Sequence, residues 1–235
     1  MITYENFIPK YMEQLTFEDD VLFATAFNMP NEASQFLKTV LNRNIFIDDI
    51  FRINNMELPE IGYRKSIIVV SNKDIYVLFI MPEGYNAQKY YEKNNQLIID
   101  CVKNTYGVKA ARCHYIAMTH LGNKSIKRET IQLKKDEVVL INMDYRDDES
   151  EFGKAMSDFT VCEPDQMQSE FMIQTMNNAK HKTSCIFLIK SLTFSDLLDA
   201  LLAAANLLKE GKSIDETKAA TKLSIREIER IQKLI

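Results

Sequence analysis

A site for metal-assisted phosphate chemistry needs carboxylates that can share a cation, because Mg²⁺ takes oxygen ligands and then activates water and neutralises phosphate charge. The acids that could supply one are Asp20, Glu57 or Glu60, and Glu83. Asp74 lies in a short polar turn, several residues away at ~3.3 Å per strand residue. Asp20 also reads as an ordinary helix-start residue, and Asp74 as an ordinary turn residue. The histidines are His114, His120 and His181. His114 and His120 would lie about 20 Å apart on a regular strand, too far to share a metal. The cysteines, Cys101, Cys113, Cys162 and Cys185, form no Cys-x-x-Cys pair and read as reduced thiols rather than zinc ligands.

Any such acids must be positioned by the stretch Arg64–Met81. Two nearly continuous apolar runs flank Ser71-Asn72-Lys73-Asp74. This predicts a β-hairpin whose strands are buried on both faces, at the centre of a sheet covered by helices. An apolar hairpin is a poor support for a buried charge cluster, which weighs against the migrated acids.

The surrounding elements follow in order. Residues 1–15 are expected to form an extended or loosely helical arm. Thr16 is placed as N-cap of a first helix bearing Phe23 and Phe27 on one face. Pro30 opens a second helix, with Ala33, Phe36, Leu37, Val40 and Leu41 as its apolar stripe and Asn42-Arg43-Asn44 at its end. A strand is expected within Ile45–Met56, a helix over Tyr85–Val102, and strands over Cys113–Thr119, Glu129–Leu133 and Val138–Met143. A helix from Pro164 or Asp165 to about Lys180 comes next, then a Leu/Ala-rich helix from Phe194 to Glu210, stopped by Gly211. Two short tail helices follow, opened by the capping boxes Ser213/Glu216 and Ser224/Glu227.

Composition fits a globular chain with a substantial core, at 46% hydrophobic and 26% charged residues in 235. No apolar run approaches the roughly 20 residues needed to span a bilayer, and no signal peptide opens the chain. A cytoplasmic protein without membrane contact is expected. The net charge of -4 argues against strong nonspecific binding to nucleic acid. Three small basic groups, Lys124–Arg128, Lys134-Lys135 and Lys180-His181-Lys182, could contact phosphate but read first as solvated loops. The run Asp147–Glu151 reads as a solvated acidic turn.

Several blocks together resemble the PD-(D/E)XK nuclease family transposases, the group that includes recombination-promoting nucleases. They are Asp20-x-x-Phe23 with Phe27, the segment Tyr85–Cys101 with Tyr90-Tyr91, and the tail from Leu208 to Ile231. The most specific is Phe152-Gly153-Lys154-x-Met156-x-Asp158-Phe159, followed by Cys162-x-Pro164-Asp165-x-Met167. The match runs over residues 16–234. The resemblance implies an α/β, restriction-endonuclease-like fold: a mixed central sheet flanked by helices, with a helical C-terminal extension. The implied domains are an arm over 1–15, the nuclease-like domain over 16–192 and the extension over 193–235.

The family's chemistry needs an Asp at the end of the first hairpin strand and a Glu-x-Gln or Glu-x-Lys element on the second. Carried over, these places fall at Val70 (or Val69), Phe79 and Met81. None of these side chains can bind Mg²⁺ or move a proton. The arginine usual in the next helix is replaced by Asn86-Ala87-Gln88. The expectation is therefore a catalytically inactive family member, without a cofactor, that acts by binding DNA or a protein partner in a mobile-element or defence system. One alternative is a divergent Mg²⁺-dependent DNA endonuclease using relocated acids Asp20 and Glu83. Another is a DNA-binding regulator that reads through Arg226, Arg230 and Gln232 in the tail.

Overall fold

The two apolar runs pair as the expected hairpin: β2 (Gly62–Ser71) lies antiparallel to β3 (Asp74–Ile80). The computed structural model describes residues 2–58, 62–71, 74–81, 89, 92, 96, 112–133, 135–181 and 195–235. β1 (Asp49–Leu58) lies antiparallel on the outer side of β2. β4 (Arg112–Thr119) pairs parallel with β3, and β6 (Asp136–Asn142) pairs parallel with β4. β5 (Arg128–Leu133) closes the far edge, antiparallel to β6. The described strands make one six-stranded mixed sheet in the order β1-β2-β3-β4-β6-β5. The fold is thus mixed α/β, with this sheet flanked by helices.

The continuous apolar runs explain why β3 and β4 are interior. Ile75 through Ile80 and Cys113 through Thr119 are all buried, so neither strand has a solvent face. β5 is largely exposed, as suits an edge strand.

Before the sheet come α1 (Tyr4–Glu13), α2 (Asp20–Ala26) and α3 (Pro30–Leu41). α2 packs on β2 and β3. Its start differs from expectation. Asp19, not Thr16, is the N-cap residue, and its carboxylate accepts the Thr16 backbone N–H at 2.8 Å. The hydroxyl residue is spent on the turn before the helix. Pro30 opens α3, the five apolar positions of its stripe are all buried, and Asn42 ends it in the left-handed region at φ 56°. Phe17, Phe23, Phe27, Phe36 and Phe159 are fully buried and meet ring to ring, with centroids 4.5–6.2 Å apart.

After the sheet, α4 (Glu151–Asp158) is followed by a 3₁₀ turn at Pro164–Gln166 and then α5 (Glu170–His181). The helix expected from Pro164 therefore starts six residues later, because Met167 is extended and interrupts it. α6 (Ser195–Lys209), α7 (Ile214–Thr221) and α8 (Ile225–Leu234) complete the chain. Both predicted capping boxes form, and Gly211 takes the left-handed conformation at φ 86°. The helix expected over Tyr85–Val102 lies outside the described residues except at Lys89, Glu92 and Gln96, which are helical.

The chain divides into two compact units. Residues 16–178 form the sheet unit. Residues 1–15 and 179–235 form a helical unit, in which α1 packs on α6 and α8 and the last three helices pack on one another. The first residues thus form a ten-residue helix, the helical one of the two forms expected for the arm. Phe7, Ile8, Tyr11 and Met12 are its buried face, at the spacing of an amphipathic helix.

Candidate functional site

The hairpin register fixes where the degenerate positions fall. Val70, Phe79 and Met81 are 3%, 1% and 6% exposed, so each is core. Phe79 and Met81 share a face of β3, and Val70 shares it through its partner Ile75. The ladder separates them, however: Val70 stands opposite Ile75, whereas the partner of Phe79 is Ser66. Val70 therefore lies about 13 Å along the ladder from Phe79, at ~3.3 Å per residue. Val69, opposite Tyr76, is no closer to a shared site. In this register an acid at Val70 and one at Phe79 would stand too far apart to share a cation.

The relocated acids are not brought together among the described residues. Asp20 is the first residue of α2, and Glu83 and Glu60 lie outside the described residues. Glu57 is on β1 opposite Tyr63. No group of three or more metal-ligating side chains occurs among the described residues.

Asp74 instead joins a cluster at the amino ends of β3, β4 and β6 that sequence reading missed. His114 Nδ1 is 2.6 Å from Glu137 Oε1, and its Nε2 is 3.4 Å from Asp74 Oδ2 without hydrogen-bond alignment. The Tyr76 ring stacks on the imidazole at 4.6 Å and 12°. Arg43 reaches Glu137 at 3.4 Å and lies 5.6 Å above the Tyr76 ring. With its side chain 2% exposed, His114 offers no face to a ligand, so this cluster is a tie between strands.

His120 sits at the opposite end of β4 and is more open. Its Nδ1 is 2.8 Å from Asp144 Oδ1, and its Nε2 is 3.4 Å from Glu18 Oε1. Partial burial works against ionisation of Asp144. Hydrogen bonds from His120 and the Gly122 N–H outweigh it and hold the carboxyl below the usual carboxylate range. Asn142, fully buried at the end of β6, organises the same loop. Its Oδ1 accepts the Leu121 and Asp144 N–H groups, and its Nδ2 donates to the Asn123 and Ile126 carbonyls.

That loop leads into a groove of about 1080 Å³. One wall is the polar face of α3: Asn31, Ser34, Gln35, Lys38 and Thr39 recur at the spacing of one helix face, opposite the apolar stripe. The other wall is Lys127 and Arg128 at the start of β5 with Ser150 and Glu151 at the start of α4, over Phe152 and Phe171. Three cations face one carboxylate in the lining. Arg128 Nη1 donates to the Val40 carbonyl at 2.8 Å, tying the walls together. Lys127 Nζ is held 5.2 Å from the Tyr145 ring centroid. The basic group Lys124–Arg128 thus contributes two groove residues and is not merely a solvated loop.

The block from Phe152 to Met167 is the scaffold behind this groove. Ser150 caps α4 by accepting the Gly153 N–H. A Cβ on Gly153 would stand 2.0 Å from the Asp147 carbonyl oxygen, so only glycine lets α4 lie this close to the preceding turn. The acidic run is part of the same turn: Asp147 accepts the Glu149 N–H and the Tyr145 hydroxyl. Asp158 is 1% exposed and accepts the Gln168 and Ser169 N–H groups at 2.9 and 2.8 Å, fixing the entry to α5.

In the helical unit, Arg230 is buried, with its guanidinium 5.7 Å from the Tyr11 ring centroid. It supports α1 and does not face solvent. The tail reader loses its central arginine, leaving Arg226 and Gln232 on the surface. Among the described residues no helix is long and apolar enough to cross a membrane. No family model, curated protein or solved structure matches the chain.

Proposed function

We propose that this chain is a catalytically inactive PD-(D/E)XK-type scaffold that acts by binding, and that the α3–β5–α4 groove is its contact surface for the phosphate backbone of DNA. What supports the first part is the hydrocarbon along the hairpin: Val69, Val70 and Ile75 through Met81 are all buried, and none of them carries a carboxylate. Placing a carboxylate there without a metal would cost several kcal/mol. The mixed sheet with a central hairpin is consistent with the scaffold that the sequence blocks resemble. The binding part rests on the lining. Lys38, Lys127 and Arg128 concentrate positive charge on an otherwise acidic chain, and the amide and hydroxyl side chains between them can donate to phosphate oxygens.

The test has two arms. Incubated with supercoiled DNA and Mg²⁺ or Mn²⁺, the purified protein leaves the DNA intact. Metal-dependent cutting that stops on chelation would overturn the inactive reading. Labelled duplex DNA binds with an affinity that falls as salt rises. An absence of binding at low salt would overturn the groove reading.

A further inference from the structure

We infer that His120 is a protonation-dependent clamp, holding the groove-edge loop between β4 and β5 in place while its imidazole is charged and loosening it when the charge is lost. The regulatory role rests on the groove reading, whereas the clamp itself does not. Both ring nitrogens face carboxylates: Nδ1 meets Asp144 at 2.8 Å and Nε2 meets Glu18 at 3.4 Å. An imidazolium donates to Asp144 and attracts the Glu18 carboxylate across 3.4 Å at the same time. A neutral ring has one N–H and no charge, so the attraction to Glu18 goes and the Asp144 bond survives only in the tautomer protonated at Nδ1. Histidine is the side chain that ordinarily changes charge between about pH 5 and 8.

The side chains facing this ring come from separate elements. Asp144 follows β6, and Glu18 lies in the turn before α2. Arg146 stands near enough to Asp144 to favour its ionised form. The imidazole is 38% exposed, so protons reach it freely, while the Glu18 side chain is only 8% exposed. The mechanical link is direct. Asp144 binds His120 through Oδ1 and the Gly122 N–H through Oδ2 at 2.7 Å. Gly122 opens the loop that carries Lys124 and ends at Lys127, on the groove wall. Lys124 is tied in turn to the segment after Asp144, since its carbonyl accepts the Arg146 N–H.

Asp144 is held ionised to below the usual carboxylate range, so its carboxylate faces the ring throughout. His114 has the same two-carboxylate arrangement but is sealed under Tyr76 and reaches no part of the groove loop.

The experiment compares wild type with His120→Asn, whose side-chain amide can donate to Asp144 as Nδ1 does but does not titrate. Amide exchange of Leu121 and Gly122, corrected for intrinsic rates, is followed from pH 5.5 to 8 without ligand. Protection in the wild type falls by about two- to fivefold, the range of a partly exposed ion pair, and stays flat in His120→Asn. Binding of a labelled 20-nucleotide duplex over the same range weakens in the wild type only. Matching exchange profiles in the two proteins would overturn the clamp, whatever the duplex does. An exchange step in the wild type alone, with no duplex binding at any pH, would support the clamp and overturn the groove reading.

Discussion

Asp158 and Gly153, both in the block that carries the most specific resemblance, have structural work at residue scale. Asp158 fixes the entry to α5 by gripping backbone N–H groups, and Gly153 lets α4 lie against the turn before it by lacking a side chain. Asp158→Ala leaves two buried donors unpaired and is expected to cost about 2–3 kcal/mol in urea unfolding. Gly153→Ala drives a Cβ into a backbone carbonyl and is expected to cost about 1–3 kcal/mol or more. Burial pushes the Asp158 carboxyl above the usual carboxylate range, partly offset by the bonds from Gln168 and Ser169. A carboxyl raised in the folded state favours folding below its unfolded value, and that contribution is lost as pH rises through the folded value. Wild-type stability should therefore fall as Asp158 ionises, above the ordinary carboxylate range. Asp158→Asn should remove that part of the slope in a pH series of unfolding curves.

Among elements, the tail helices were the most legible in sequence, because a capping box is a local device. Ser213 and Ser224 each accept the N3 backbone N–H while Glu216 and Glu227 reach back to the cap N–H. Ser224→Ala is expected to cost about 1 kcal/mol, read as a shift in urea midpoint at unchanged slope. α8 carries Ile228, Arg230 and Ile231 into the helical core, so fraying its start weakens the contact with α1. Ser224→Asp, which keeps a capping oxygen, should restore most of the loss. Wild-type stability in Ser224→Ala would mean that tertiary packing alone holds α8.

For the whole molecule, the proposed DNA contact has to be made by an acidic protein. A net charge of -4 repels a polyanion at long range, so binding depends on local concentration of cations. The groove supplies Lys38, Lys127 and Arg128, whereas α8 sets Glu227 and Glu229 beside its exposed Arg226. Reversing Lys38 and Lys127 together to Glu should weaken duplex binding and reduce the slope of log affinity against log salt by about 2, near 0.9 per phosphate contact. Arg226→Glu should change neither. The opposite pattern would move the binding surface to the tail.

Periodicity and local chemistry in the sequence determined much of this protein. The hairpin, the apolar stripe of α3 and both capping boxes depend on residues a few positions apart, where one face or one turn is enough to read. Register and long-range proximity were settled only in the folded chain. Whether Val70 faces Phe79 or Ile75 depends on how two strands slide past each other, and nearly unbroken hydrocarbon leaves little to mark that choice. Glu18, His120 and Asp144 come from three elements, as do Asp74, His114 and Glu137, and nothing in their spacing announces either group. The groove was half visible: the polar face of α3 is the complement of its apolar stripe, but its second wall needed β5 and α4 to fold against it. Local energetics chose the elements, and tertiary packing chose which side chains could act together.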